Sequence, residues 1–255
     1  MKVVAIALNT GREAIRNKIL YSILLFACLL TGIAAAFGSV SIGDTIKFVK
    51  DFSLFSISLF GVITTVVLGV NLLSKELDKR TIYNILSKPV ARWQFLLGKF
   101  IGLLATVTAM LLLLSGVLFG VLWGLEGRVD WALCPVVGAM LLELAVLLAV
   151  AIFFSSIVVT PALAGLFTIA TFVAGRSAPM LLYFVNDDQP ATVRYAMQAL
   201  YAVLPHLDRF YVADRVVAGQ VLPGSYYVYA FVYAAAYAGC VLTLSVTIFR
   251  RREFL

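Results

Sequence analysis

Two uncharged runs, residues 52–74 and 100–125, flank a polar stretch, 75–99, that reads KELDKRTIYNILSKPVARWQFLLGK. The runs hold 23 and 26 residues, and the stretch between them carries eight charges: Lys75, Glu76, Asp78, Lys79, Arg80, Lys88, Arg92 and Lys99. A helix crosses the hydrocarbon core of a bilayer in about 20 apolar residues. In lipid every backbone N–H and C=O must find its partner within the protein, so such runs fold as helices. Only 13% of the chain is charged, against about 25% in soluble domains. These features predict an all-α polytopic membrane protein forming a single domain over residues 1–255.

The rest of the chain repeats the pattern. Residues 2–18 place Val4, Leu8 and Ile15 on one face and Arg12, Glu13 and Arg16 elsewhere, as in an amphipathic helix lying in the membrane interface. Glu13, Arg16 and Lys18 are its candidate functional residues. A first span follows over 19–43, and the long charged lead before it argues against a cleaved signal peptide. Further spans are expected at 53–74, 100–124 and 226–248. Residues 131–175 carry a single charge, Glu143. As one helix they would reach about 67 Å, twice the roughly 30 Å of hydrocarbon. The run must therefore fold back, and Pro161 marks the place because it lacks an N–H and suits a first helical turn. Spans at 132–154 and 161–181 bring the total to six. Residues 183–225 are mixed and predict amphipathic helices on the outer membrane surface.

Six spans put both termini on one side. With the N-terminus inside, the inner segments hold Lys2, Arg12, Arg16, Lys18, the six basic residues of 75–99, and Arg250, Arg251 and Arg252. The outer segments hold fewer: Lys47, Lys50, Arg128, Arg176, Arg194, Arg209 and Arg215. Inner loops of membrane proteins carry the Lys/Arg excess, so both termini are expected to be cytoplasmic. The same bias accounts for the net charge of +7 without a nucleic-acid partner. Cys28, Cys134 and Cys240 form no Cys-x-x-Cys pair and predict neither a disulfide framework nor a zinc site. With one histidine and scattered methionines, no copper site can be drawn.

Leu77, Ile82, Ile85 and Leu86 give the polar stretch an apolar stripe, predicting a short helix over 77–86 that Ser87-Lys88-Pro89 ends. Force applied to a helix held between two spans passes to both; a solvated charged loop is the plain alternative. Glu76, Thr81-Ile82, Leu86-Ser87, Pro89-Val90, Arg92 and Leu97-Gly98-Lys99 together resemble the signature of type-2 ABC transporter permeases, especially the branch associated with multicopper-enzyme maturation. Arg12-Glu13, Arg16 and Lys18 resemble that family's opening helix, and FRRREF at 249–254 resembles its ending; Asp78-Lys79-Arg80 departs from its pattern.

The resemblance implies a six-span permease half whose 75–99 segment docks into a cytoplasmic ATPase subunit through Glu76, Asp78, Lys79, Arg80 and Thr81. It implies two copies of that subunit, a second copy of this chain, surrounding lipid and room for a periplasmic partner. ATP and Mg would be bound by the ATPase, with no cofactor in this chain. The residues agree: the only Gly-Lys pair, Gly98-Lys99, is followed by Phe100 and lacks the earlier glycine of a P-loop. No internal repeat of a six-span unit is present, so a complete two-fold assembly needs a second copy.

Glu143 falls near the middle of the fourth expected span, where an ionised carboxylate costs about 2.5–3.5 kcal/mol. It should face the bundle or a wet cavity, either as a translocation-path residue or bonded to a neighbouring Ser or Thr. Gly98, Gly102, Gly116, Gly120 and Gly124 form three Gly-x-x-x-Gly pairs, suited to close packing within one bundle or to a dimer seam. His206 reads as an interfacial side chain, and Tyr226, Tyr227, Tyr229, Tyr233 and Tyr237 as an aromatic belt. The function that fits best is the membrane subunit of an ATP-driven exporter. The alternatives are an intramembrane enzyme, for which no Ser/His or paired-Asp arrangement accompanies Glu143, and a non-transporting signalling or extraction complex.

Overall fold

A computed structural model describes residues 2–38, 45–78, 91–158, 160–183 and 191–251, without the side chains of 37–38, 72–78, 181–183, 191 and 250–251. Its helices are α1 (Lys2–Ile15), α2 (Lys18–Gly38), α3 (Thr45–Asp78), α4 (Arg92–Glu126), α5 (Cys134–Ile157), α6 (Pro161–Arg176), α7 (Ala178–Tyr183), α8 (Ala191–Val203), α9 (Ala213–Val217) and α10 (Gly224–Arg251). Single 3-10 turns at Trp131–Leu133 and Leu207–Phe210 complete them. Among the described residues, five segments are long and apolar enough to cross a membrane: Lys18–Ala36, Thr45–Asn71, Arg92–Glu126, Trp131–Ile157 and Gly224–Phe249. Pro161–Arg176 has 16 residues, about 24 Å, which is short of the roughly 30 Å core.

Local chemistry sets the helix ends. Asn17 Oδ1 accepts the Ile19 N–H at 3.2 Å and starts α2. The N–H of Ala91 donates to Gln94 Oε1 at the head of α4. Gly127, at φ 68°, ends α4 in the left-handed region, where glycine carries no Cβ penalty. The fold-back in the long apolar run lies where proline places it, between Ile157 and Pro161.

Two helices run well beyond their expected bounds. α3 and α4 have 34 and 35 residues, about 51 and 52 Å, so each outruns the hydrocarbon. α3 starts at Thr45, which makes Lys47, Lys50 and Asp51 helical rather than part of a loop. α4 starts at Arg92, so within the polar stretch 75–78 closes α3 and 92–99 opens α4. Charges read as loop markers are tolerated here because these helices extend past the apolar layer. The short helix expected over 77–86 lies, from residue 79 onward, outside the described residues.

α5 is the centre of the bundle, packed against α3, α4, α6 and α10, while α1 lies along α4 and α2 along α3. Its Val146, Leu147, Leu148, Ala149 and Ala151 are fully buried. The segment after α7 divides in two. Tyr195, Leu200 and Val203 on α8 are exposed. Residues 205–213 instead enter the bundle: Leu207 and Phe210 are buried against Val146, Ala230 and Ala234. Three residues apart in a 3-10 turn, these two side chains lie on one face. Gly175 makes room for them, since a Cβ there would lie 2.5 Å from the carbonyl oxygen of Pro205.

Candidate functional site

At the end of the bundle nearest the polar stretch, the first turns of α4 are tied to two other helices. Arg92 Nη1 donates to the carbonyl oxygen of Phe249 near the end of α10 at 2.7 Å, supplying a cation where helix carbonyls run out of partners. The Phe249 ring stacks on Phe95 at 6.2 Å between centroids. Lys99, 3% exposed, holds its ammonium 4.6 Å from the centre of the Phe95 ring. On the other flank α1 lies almost backbone to backbone against α4. A Cβ on Gly102 would sit 2.4 Å from the Ala7 carbonyl oxygen, and one on Gly98 would sit 2.9 Å from Ile6. α1 therefore has two apolar faces: Ala14 and Thr10 are buried, while Val4, Leu8 and Ile15 remain exposed.

Two of the five sequence-predicted coupling residues fall on a described helix. Glu76 and Asp78 lie on the last turn of α3; their side chains, and all of Lys79, Arg80 and Thr81, lie outside the described residues. Glu13, Arg16 and Lys18 are exposed around the turn from α1 to α2.

Glu143 is 1% exposed and is held by a residue that was counted with the outer cations on sequence grounds. Arg176 Nε donates to its Oε1 at 3.0 Å and Nη2 to its Oε2 at 3.2 Å. The same Nη2 reaches Ser58 Oγ at 3.0 Å. The guanidinium lies 4.2 Å from the ring centre of Tyr211 and 5.2 Å from that of Phe172. This fork joins α3, α5, α6 and the inserted segment, and its bidentate geometry is the strong form of the pair. A signal for it was present: one cation inside the expected span 161–181 and one anion inside 132–154.

At the opposite end Lys50 bridges Glu126 at 3.0 Å and Asp130 at 2.9 Å, and Arg128 adds a second contact to Glu126. The Lys50 ammonium holds the Asp130 carboxyl below its usual range. His206, expected at the interface, is buried instead. Its backbone N–H donates to the Tyr233 hydroxyl at 2.9 Å, and the Tyr201 ring stands edge-on 4.2 Å away. Burial pushes its pKa down. Of the glycines on α4, Gly98 and Gly102 seat α1, whereas Gly116, Gly120 and Gly124 face nothing within 4 Å.

Long apolar helices with a buried ion pair between them are those of a multi-pass helical membrane protein. The pattern of the ABC-2 family of transporter proteins matches residues 4–253, and the chain belongs to this family. Its members are transmembrane subunits that generally work with a separate ATPase subunit. No curated protein matches the chain.

Proposed function

We propose that this chain is one half of the membrane domain of an ATP-driven exporter, moved by a cytoplasmic ATPase that grips the 75–99 segment. The observation that carries the reading is the linkage at the head of α4. A displacement delivered to residue 91 passes through Gly98 and Gly102 to α1 and through Arg92 and Phe95 to Phe249 of α10. Packed interfaces of this kind shift between discrete arrangements rather than deform continuously. Glu76, Asp78, Lys79, Arg80 and Thr81 make the ATPase contact, and ATP and Mg belong to that partner.

Six crossings support the arrangement better than five. Arg176, at the last turn of α6, reaches the middle of α5, and the segment that follows brings Tyr211 and Asp214 close to Asp51 on α3. α6 thus carries the chain away from the polar-stretch end, and both termini return to the cytoplasmic side. The open glycine face of α4 (Gly116, Gly120, Gly124) is left for the second copy of the chain. The signature residues within 76–102 favour the multicopper-enzyme-maturation branch. Glu143 enters a translocation path only in a state where Arg176 releases it.

Affinity purification of the chain from its native membrane tests the reading. The expected result is co-purification of an ATPase subunit from the wild type and its loss from the Glu76→Lys/Asp78→Lys double variant, with the permease still folded. A variant that kept both the partner and coupled ATP hydrolysis would overturn the docking assignment.

A further inference from the structure

Arg176 holds Glu143 from the last turn of α6. The two partners are not sealed alike: the Glu143 side chain is 1% exposed and that of Arg176 25%. Arg176 thus stands at the rim of the bundle, on a long stem along which its guanidinium can swing. A guanidinium that leaves a buried carboxylate needs another anion at hand, because an uncompensated charge inside a bundle is costly.

Such an anion lies across the Tyr211 ring. The guanidinium rests 4.2 Å from the centre of that ring, and the Asp214 carboxylate lies beside the Tyr211 hydroxyl. Asp51 on α3 lies close to Asp214, with Lys47 next to Asp51. Among the described residues neither Asp214 nor Asp51 has a cation within ion-pair distance. Like charges placed near each other repel, and a cation arriving beside them relieves the repulsion. The stretch that leads to Asp214 is anchored. The Tyr237 and Tyr226 hydroxyls of α10 donate to the carbonyl oxygens of Val203 and Arg209, and the Tyr233 hydroxyl takes the His206 N–H. Leu207 and Phe210 bury the chain between these bonds, and α9, which carries Asp214, packs on α3.

We propose that Arg176 is a two-position latch whose guanidinium exchanges Glu143, inside the bundle, for Asp214 at the outer end, passing across the face of Tyr211. Each position pairs the cation, so the exchange leaves only Glu143 to be matched, and its carboxylate takes up a proton. Asp51 adds negative charge behind the outer seat. The part this exchange plays in transport rests on the reading above; the second seat itself does not, and it is open to test without an ATPase or a substrate.

The test is a double-mutant cycle on the thermal midpoint of the purified full chain. Glu143→Gln mimics the protonated carboxyl and sends Arg176 to the outer seat. Asp214→Asn alone should move the midpoint by less than about 2 °C, as an exposed substitution does, because Arg176 then stays on Glu143. In the Glu143→Gln background the same change should lower the midpoint by about 5 °C, since a hydrogen bond to a charged group is lost. Asp214→Glu in that background should keep the midpoint where Asp214 holds it. Asp130→Asn, away from the latch, should shift both backgrounds equally. Additive effects of Glu143→Gln and Asp214→Asn, or synergy of the same size with Asp130→Asn, overturn the latch. A second measurement keeps Glu143 in place. Its modification by dicyclohexylcarbodiimide, located by mass spectrometry, reports the carboxyl that Arg176 has released. Asp214→Asn should slow that modification severalfold and Asp130→Asn should not; equal rates in the wild type and Asp214→Asn overturn the latch.

Discussion

At one end of the bundle Lys50, Glu126, Asp130 and Arg128 close the helices with a cluster of ions; at the other, α4 meets α1 and α10 through glycines, stacked rings and one guanidinium on a backbone carbonyl. An ion cluster tolerates small displacements, because its long side chains can follow their partners. Backbone-to-backbone contact does not: a shift of a fraction of an ångström either separates the helices or moves them together. The end that holds its helices by shape is the one suited to transmit motion, and it is the end that adjoins the polar stretch. Between the two, the Arg176–Glu143 fork pins the middle of the bundle.

Substitutions that break each of the three regions should rank accordingly. Arg176→Leu strips the partner from a buried carboxylate and should cost about 3–5 kcal/mol of stability, seen as a large fall in the thermal midpoint of the purified protein. Glu143→Leu/Arg176→Leu should recover most of that loss; a double variant as unstable as the single would show that Arg176 acts through other contacts. Gly102→Leu forces a side chain into the Ala7 carbonyl and should cost about 1–3 kcal/mol. Its sharper effect should be ATP hydrolysis uncoupled from transport, since α1 no longer follows α4.

Lys50→Met, at the ionic end, takes one partner from the nearly buried Glu126 carboxylate, which keeps Arg128, and should cost about 1–3 kcal/mol while leaving coupling intact. Smallest is the pH response of His206. Burial holds its folded pKa below the unfolded value of about 6.5, so its contribution is fully present above that pH. It is lost as pH falls through the lowered folded value. Thermal midpoints measured below neutrality should fall less steeply in His206→Gln than in the wild type.

Much of the fold was legible in the sequence because lipid leaves so few choices. Uncharged runs had to be helices, and Pro161 had to start one. Charge served less well as a boundary marker. Lys47, Lys50 and Asp51 looked like loop residues, yet α3 runs past the apolar layer and carries them in its solvent-side turns. Arg176 was counted with the outer cations for the same reason, which hid the partner of Glu143. His206 and its neighbours looked interfacial because residues 183–225 mix polar and apolar side chains at low density. Only the three-dimensional approach permitted by Gly175 shows that Leu207 and Phe210 turn inward. The glycines of α4 were recognisable as packing devices, but sequence spacing alone did not separate the pair that seats α1 from the three that face outward.

Coupling to an ATPase depends on which face of the membrane carries the segment between α3 and α4. A single cysteine at Ser87→Cys, in a chain with Cys28, Cys134 and Cys240 replaced by alanine, can be probed with a membrane-impermeant maleimide. Labelling in inside-out vesicles and protection in right-side-out vesicles is the expected result. Labelling from outside, with protection from the cytoplasmic face, would put the segment beyond the reach of any ATPase and contradict the mechanism.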